Sequence, residues 1–586
     1  MPVPPFETTI AEAVWAARYR WVEGGNPVDQ TPADTWRRVA AAAAAPETRA
    51  ASAWTMRFEA MLAAREFLPG GRILAGAGTD RRVTLCNCFV MGGLGDDLSA
   101  IFNALREAAL TLQAGGGIGY DFSSLRPAGD PAATCGNVAS GPVSFMHVWD
   151  AMCATVSTTG YRRGAMMATL RADHPDIFAF IDAKADRRSL SHFNCSVLVT
   201  DALVDAVERD AGWTLQFGGT VYRQVSARKL WNALMRSAWE SSEPGVLFID
   251  RINAENNLAY REHLSATNPC GEAPLPPYGA CQLGSFNLPH FVRAPFTPLA
   301  RFDREAFAAR IPTAVRMLDN LLDVSHFPLE QQRHEAQATR RVGIGFMGLG
   351  STLIMLGIRY DSPAARAFAA NLARRLRDEA YRASIGLAAE RQPFPALDRE
   401  RYLASPFVQR LPENLRDAIA RHGIRNSHLL AVAPTGTISL LADNVSSGIE
   451  PVFRRAYRRQ LRIGAETRAV PVEDYAQLRW RLSHGAAAVA PDNFLTAADL
   501  APPAHLLMQA AVQPFVDQAI SKTINVPADT PFETFESIYR EAHRLGLKGA
   551  TTFRPRRDRP GVLHSANGPH PAGDGAAARR RTRGRA

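Results

Sequence analysis

The chain has 586 residues, 46% hydrophobic and 21% charged, a composition that excludes disordered and fibrous classes and fits a globular protein of more than one structural unit. Of the net charge of +10, the last 36 residues carry +7, with nine arginines against two aspartates, and the rest carries +3, so the body is not a basic nucleic-acid surface and no specific nucleic-acid partner is expected. There is no apolar run of about 18 residues and no basic-then-apolar leader in MPVPPFETTIAEAVW, so neither a membrane span nor secretion is expected and the protein reads as cytoplasmic.

Residues 1–75 read as helical, from Glu12-Ala-Val-Trp and Thr35-Trp-Arg-Arg-Val-Ala to a break at Phe67-Leu-Pro-Gly-Gly. From Val83 the pattern changes. Short apolar runs at 88–91, 196–199 and 245–249 alternate with helix-prone stretches at 101–113, 202–208 and 227–239. That alternation predicts an α/β core with largely parallel strands. Residues 300–400 read as mostly helical, interrupted by Gly343-Ile-Gly-Phe-Met-Gly-Leu-Gly350. A strand-loop unit follows at 429–453, and helices return at 506–544 around Ser521-Lys-Thr-Ile-Asn-Val-Pro527. The fold is expected to end near Phe553, before a Gly/Ala/Arg tail that cannot bury a core.

The seven cysteines form no CxxC pair and no finger-like spacing with histidine, so neither a disulfide scaffold nor a metal site is expected. Gly115-Gly-Gly-Ile-Gly119 lacks the GxGxxG spacing and does not imply a nicotinamide site. The chemistry concentrates in Asn268-Pro-Cys270-Gly-Glu272 and Tyr278-Gly-Ala-Cys281-Gln-Leu-Gly-Ser-Phe-Asn287. In an extended loop alternate side chains share a side, so Asn268, Cys270 and Glu272 can converge on one small molecule. They offer it an amide, a sulfur and a general base.

These residues closely resemble the active-site loop of the large catalytic component of ribonucleotide reductases, specifically the adenosylcobalamin-dependent class II enzymes. FLPGGRILAGAGT, TLCNCFVMG, GGGIGYDFSSLRPAG, SGPVSFMHVWD, RRGAMMATL, RRVGIGFMGLG, APTGTISLLADNVSSGIEPVF and SKTINVP extend the resemblance, in order, over about residues 10–555. It implies an N-terminal helical region at 1–75. An α/β barrel of ten strands follows at 76–553, two five-stranded parallel halves set antiparallel around a finger loop. A disordered Arg-rich tail occupies 554–586.

By resemblance, Cys270 becomes a thiyl radical that takes hydrogen from ribose C3′. Glu272 accepts the 3′-OH proton and Asn268 hydrogen-bonds the same region. Cys88 and Cys281 supply two electrons by closing a disulfide. Cys86, two residues from Cys88, is a rival on the same strand face. Cys135, Cys153 and Cys195 read as small buried residues. Thr435, Gly436, Thr437 and Ser439 resemble the substrate-phosphate loop, with Ser140 toward the sugar and base. Asp96 and Arg126 are candidate contacts for dNTP effectors.

Thr551 and Thr552 stand where metal-radical relatives carry adjacent relay tyrosines, and no glycyl-radical motif occurs. The implied initiator is therefore adenosylcobalamin. Expected partners are ribonucleoside diphosphates, dNTP effectors, a second copy of the chain, and a thioredoxin-like reductant or a separate small thiol-carrying protein. The last arises because no cysteine follows Cys281, where relatives usually carry a pair. The N-terminal segment is too short for an ATP-cone, so no overall shut-off by dATP is expected. Two rival readings are a class I-type large subunit that needs a radical partner and a nucleotide-binding regulatory protein without catalysis.

Overall fold

The structure, a computed structural model, describes residues 6–131, 138–156, 164–186, 188–463, 466–485, 487–555 and 563–565. Cys135 and most of the Arg-rich tail lie outside them. The strand-helix alternation is realised as one closed sheet. Cys88–Val90, Gly117–Asp121, Met166–Arg171, Phe193–Val199 and Gly245–Phe248 pair in that order, each parallel to the next. In the other half, Ala280–Asn287 runs parallel to Val342–Met347. Parallel bridges from Ile344 to Leu430 and from Val432 to Ile520 carry the ladder to Thr523–Asn525, which is parallel to Gly549–Phe553.

The halves meet antiparallel at both seams. Phe89 and Cys88 oppose Ala280 and Cys281, and Val246 and Leu247 oppose Ala550 and Gly549. Two five-stranded parallel halves therefore close a ten-stranded α/β barrel, as the resemblance implied. Parallel strands covered on both faces read as unbroken apolar runs rather than alternations. Every residue of Val342–Met347 is accordingly buried.

Local chemistry sets the connecting helices. Asp97 caps Leu98–Gln113 by accepting from the Ala100 N–H at 2.9 Å, and Ile101, Ala104, Ala108 and Thr111 bury one helical stripe. At the N-terminus, Pro32–Ala44 opens on a capping box between Thr31 and Asp34. It is tied to Thr9–Arg18 by Trp15 Nε1 donating to Thr35 Oγ1 at 2.9 Å.

Two features depart from the sequence reading. Phe67–Pro69 does not simply end the helical region; it is a strand paired antiparallel with Ala280–Asn287, which anchors the N-terminal helices to the barrel. Two antiparallel hairpins also occur, Gly212–Phe217 with Thr220–Ser226 and Ala456–Ile463 with Glu466–Glu473. Leu563–Ser565 adds a third strand to the second. Among the described residues, no helix is long and apolar enough to cross a membrane.

Candidate active site

Cys270 sits at the tip of a short hairpin. Ala266–Thr267 pairs antiparallel with Pro274–Leu275, and the Asn268 N–H donates to the Ala273 carbonyl at 3.1 Å. The tip is a turn rather than an extended strand. Gly271 N–H donates to the Asn268 carbonyl at 3.1 Å, and Gly271 takes φ +82°, a left-handed conformation that glycine adopts without strain. The Asn268 side chain braces the loop by accepting from the Ala273 N–H at 3.0 Å.

The barrel holds this finger from several directions. Asn194 Nδ2 donates to the Pro269 carbonyl at 2.7 Å, Ala519 N–H to the Glu272 carbonyl at 3.0 Å, and Thr169 Oγ1 to the Ser265 carbonyl at 2.9 Å. Gly119 gives the finger room. A Cβ there would lie 1.9 Å from the Thr267 carbonyl oxygen, so Gly119 serves close backbone approach.

The turn separates what an extended loop would have aligned. Asn268 and Glu272 fold back toward Cys88: the Asn268 amide donates to Cys88 Sγ at 3.1 Å, and the Cys88 thiol donates to Glu272 Oε1 at 3.8 Å. Asn268, Glu272 and Cys88 are buried, whereas Cys270 is exposed. Cys281 is the direct cross-strand partner of Cys88 and is fully buried. Burial pushes its thiol well above the ordinary range and keeps it protonated at neutral pH. Cys86 lies just before the strand, and burial pushes it up to about 12. Cys153 and Cys195 are buried in the core.

The exposed side of Cys270 faces a cavity of about 720 Å³. Its wall includes Asn194, Ser439, Glu450, Lys522, Thr551 and Thr552, but not Asn268, Glu272, Cys88 or Cys281. Of the suggested phosphate-loop residues, only Ser439 reaches it, with its Oγ 3.2 Å from Ser447 Oγ. Thr435 takes φ +48°, and its Oγ1 accepts from the Gly448 N–H at 2.9 Å. Gly436 and Thr437 are exposed, with open space where a Gly436 Cβ would stand.

Ser140 is an exposed residue ahead of Gly141–Val156, and its carbonyl accepts from Ser144 Oγ at 2.8 Å. Asp96 and Arg126 pair with each other at 2.8 Å, away from the cavity lining.

Sequence reasoning missed Asn194, Glu450 and Lys522. Lys522 and Glu450 stand in segments quoted for the resemblance, SKTINVP and SSGIEPVF, so a signal was present. A lone Asn194 in a strand gives none.

Comparison with known proteins agrees with this architecture. The family model described as ribonucleotide reductase, barrel domain, matches residues 86–553, and the one described as ribonucleotide reductase, all-alpha domain, matches residues 5–82. A protein of Mycobacterium tuberculosis (strain CDC 1551 / Oshkosh) named vitamin B12-dependent ribonucleoside-diphosphate reductase is 39% identical over 581 residues, covering 94% of this chain and 80% of the relative. A protein of Thermoplasma acidophilum with the same name is 36% identical over 520 residues, covering 85% of this chain and 65% of the relative. The closed barrel, the cysteine-tipped finger inside it and matches that run almost end to end make this chain a member of the ribonucleotide reductase family.

Proposed function

We propose that the chain reduces ribonucleoside diphosphates to 2′-deoxyribonucleoside diphosphates through a thiyl radical on Cys270, with adenosylcobalamin as initiator. The observation that carries this reading is the division of labour around the finger. One exposed cysteine faces an open cavity, while a carboxylate, an amide and a cross-strand thiol pair lie buried beside it. The names of the Mycobacterium and Thermoplasma relatives support the substrate and the cofactor.

The residues on the cavity side of Cys270 suit the cofactor. The cavity volume of about 720 Å³ suits a drug-sized group such as the adenosyl moiety, not the whole corrinoid. The wall offers hydroxyls and amides from Ser446, Ser447, Ser521, Asn194 and Asn525, which match a nucleoside and an amide-fringed corrin edge. When bound, adenosylcobalamin supplies a carbon-centred radical able to take a hydrogen atom from a thiol.

On the substrate side, the Cys270 thiyl takes the C3′ hydrogen and Glu272 takes the 3′-OH proton. The C2′–O bond then breaks and the hydroxyl leaves as water. Cys88 and Cys281 give up two protons and two electrons as their S–S bond forms, one proton leaving in the water and the rest placing hydrogen on C2′; Glu272 returns its proton to the 3′ oxygen, and Cys270 returns hydrogen to C3′. Asn268 orients Cys88 and shares the site. Thr435, Gly436, Thr437 and Ser439 hold the phosphates, and Ser140 approaches the sugar.

The remaining assignments complete the reading. Residues 1–75 form the helical region, 76–553 the barrel, and 554–586 a tail. The protein acts as a homodimer, for which exposed Leu98 and Phe102 on Leu98–Gln113 offer an apolar face. Asp96 and Arg126 contact dNTP effectors, and a small thiol-carrying partner links a thioredoxin-like reductant to the buried pair. An anaerobic assay with CDP, adenosylcobalamin and a dithiol tests the activity. Formation of dCDP that disappears in Cys270→Ser supports it, and no deoxynucleotide from the intact chain refutes it.

A further inference from the structure

Lys522 is a cation on the cavity wall whose side chain is wholly shielded from solvent. Its ammonium donates to Glu450 Oε2, to His505 Nδ1 at 2.8 Å and to the Thr523 carbonyl at 3.1 Å. Those bonds use all three of its donors. Glu450 Oε1 also accepts from the Thr523 N–H at 2.7 Å. Removing the Lys522 ammonium from water carries a large desolvation penalty, so its placement here, with every donor used, needs a reason. The reduction steps above use neither residue.

The cluster fixes the Glu450 carboxyl by the bonds it accepts from the Lys522 ammonium and the Thr523 N–H. Burial, and then the Lys522 charge, push His505 down to about 2, so His505 is neutral and takes a hydrogen bond from Lys522 rather than its proton. Glu450 is only partly buried and lines the cavity that Cys270 faces. A carboxylate has about four lone-pair sites. The two bonds it makes leave room for O–H donors coming from the cavity. A rigid carboxylate is the group that protein folds use to accept from ribose hydroxyls.

We propose that Glu450 is a ribose clamp, accepting the cis-diol hydroxyls of the adenosyl group of the cofactor, and that Lys522 is the positioning residue that fixes it. This rests on the cofactor reading above. The diol could also belong to the substrate ribose, because Ser439, assigned above to the substrate phosphates, lines the same cavity; Glu272, Asn268, Cys88 and Cys281 do not line it, and the CDP arm of the test separates the two. Glu450 and Cys270 line the same cavity, so an adenosyl ribose held by Glu450 would lie on the side that Cys270 faces. No bond is made or broken at Glu450.

The test is equilibrium binding to the full chain of adenosylcobalamin, of hydroxocobalamin, which lacks the adenosyl group, and of CDP. The variants are Glu450→Gln and the double variant Glu450→Gln/Lys522→Met, which removes both partners of the pair as a unit and leaves no unpaired charge. The expected result is a loss of about 10- to 100-fold in adenosylcobalamin affinity, the worth of hydrogen bonds to a charged group. Hydroxocobalamin and CDP affinities should stay within about twofold, well under one such bond. Equal weakening of both corrinoids, weakening of CDP alone, or no change overturns the clamp. Failure of the unaltered chain to bind either corrinoid overturns the cofactor reading, and the clamp with it.

Discussion

Cys88 and Cys281 face each other directly across the antiparallel seam where the two halves of the barrel meet. Directly opposed residues in such a pair have Cα atoms about 4.5–5.5 Å apart, inside the 4.4–6.8 Å range that a disulfide spans. Cys86 has no such partner and lies in a fully buried position before the strand. One turnover without added dithiol is therefore expected to convert two thiols into a Cys88–Cys281 disulfide and leave Cys86 free. Peptide mapping after single turnover checks this, and recovery of Cys86 in the disulfide would contradict it. Cys88→Ser and Cys281→Ser should each abolish multiple turnover with the dithiol present.

The finger depends on backbone contact at Gly119. A methyl group there would stand 1.9 Å from the Thr267 carbonyl oxygen, and that oxygen cannot rotate away as a side chain could. Gly119→Ala is expected to lower stability by about 1–3 kcal/mol through overpacking. It should also reduce activity more than the stability loss explains, because Cys270 is displaced. Urea denaturation and the CDP assay on the same preparation measure both, and a variant with unaltered stability and turnover would refute the contact.

His505 makes the fold acid-sensitive. Burial and the nearby Lys522 charge hold it down to about 2, while the unfolded chain titrates near 6.5. Between those values the unfolded state binds the proton and the folded state does not, so stability falls as pH drops below about 6.5. The loss is about 1.4 kcal/mol per pH unit from this residue. His505→Gln should flatten the decline of the urea midpoint between pH 6.5 and 5. A variant that keeps the full slope would show that His505 does not contribute.

Re-reduction should distinguish small from large reductants. Cys88 and Cys281 are both buried at the barrel seam, out of direct reach of a folded protein's active-site thiol. Multiple turnover is expected with a small dithiol and slow turnover with thioredoxin alone. Equal, rapid rates with thioredoxin alone would remove the need for a separate thiol-carrying partner.

The parts of the fold written locally were legible in the chain. Apolar runs near 88, 196 and 245 became parallel strands, and Asp97 and Thr200 begin helices as caps do. Antiparallel seams and barrel closure were not, because they join segments hundreds of residues apart, as with Val246 and Ala550. The hairpin around Gly218 and Gly219 carried two signals, its paired glycines, both left-handed here, and the alternation of Trp213, Leu215 and Phe217 along its first strand, so it was legible and was passed over.

At the site, the residue types around Cys270 were plain, and their geometry was not. The i±2 spacing suggested side chains on one side, whereas the turn at Gly271 sends Cys270 toward the cavity and Asn268 and Glu272 toward Cys88. The Glu450–Lys522–His505 cluster could not be read from spacing, since its members come together only through tertiary packing.

The account turns on Cys270 as the hydrogen-abstracting group, and the anaerobic conversion of CDP with adenosylcobalamin and a small dithiol examines it most directly. The expected result is dCDP from the intact chain and none from Cys270→Ser, with CDP still bound by the variant. Deoxynucleotide formed at an undiminished rate without the Cys270 thiol would contradict the account.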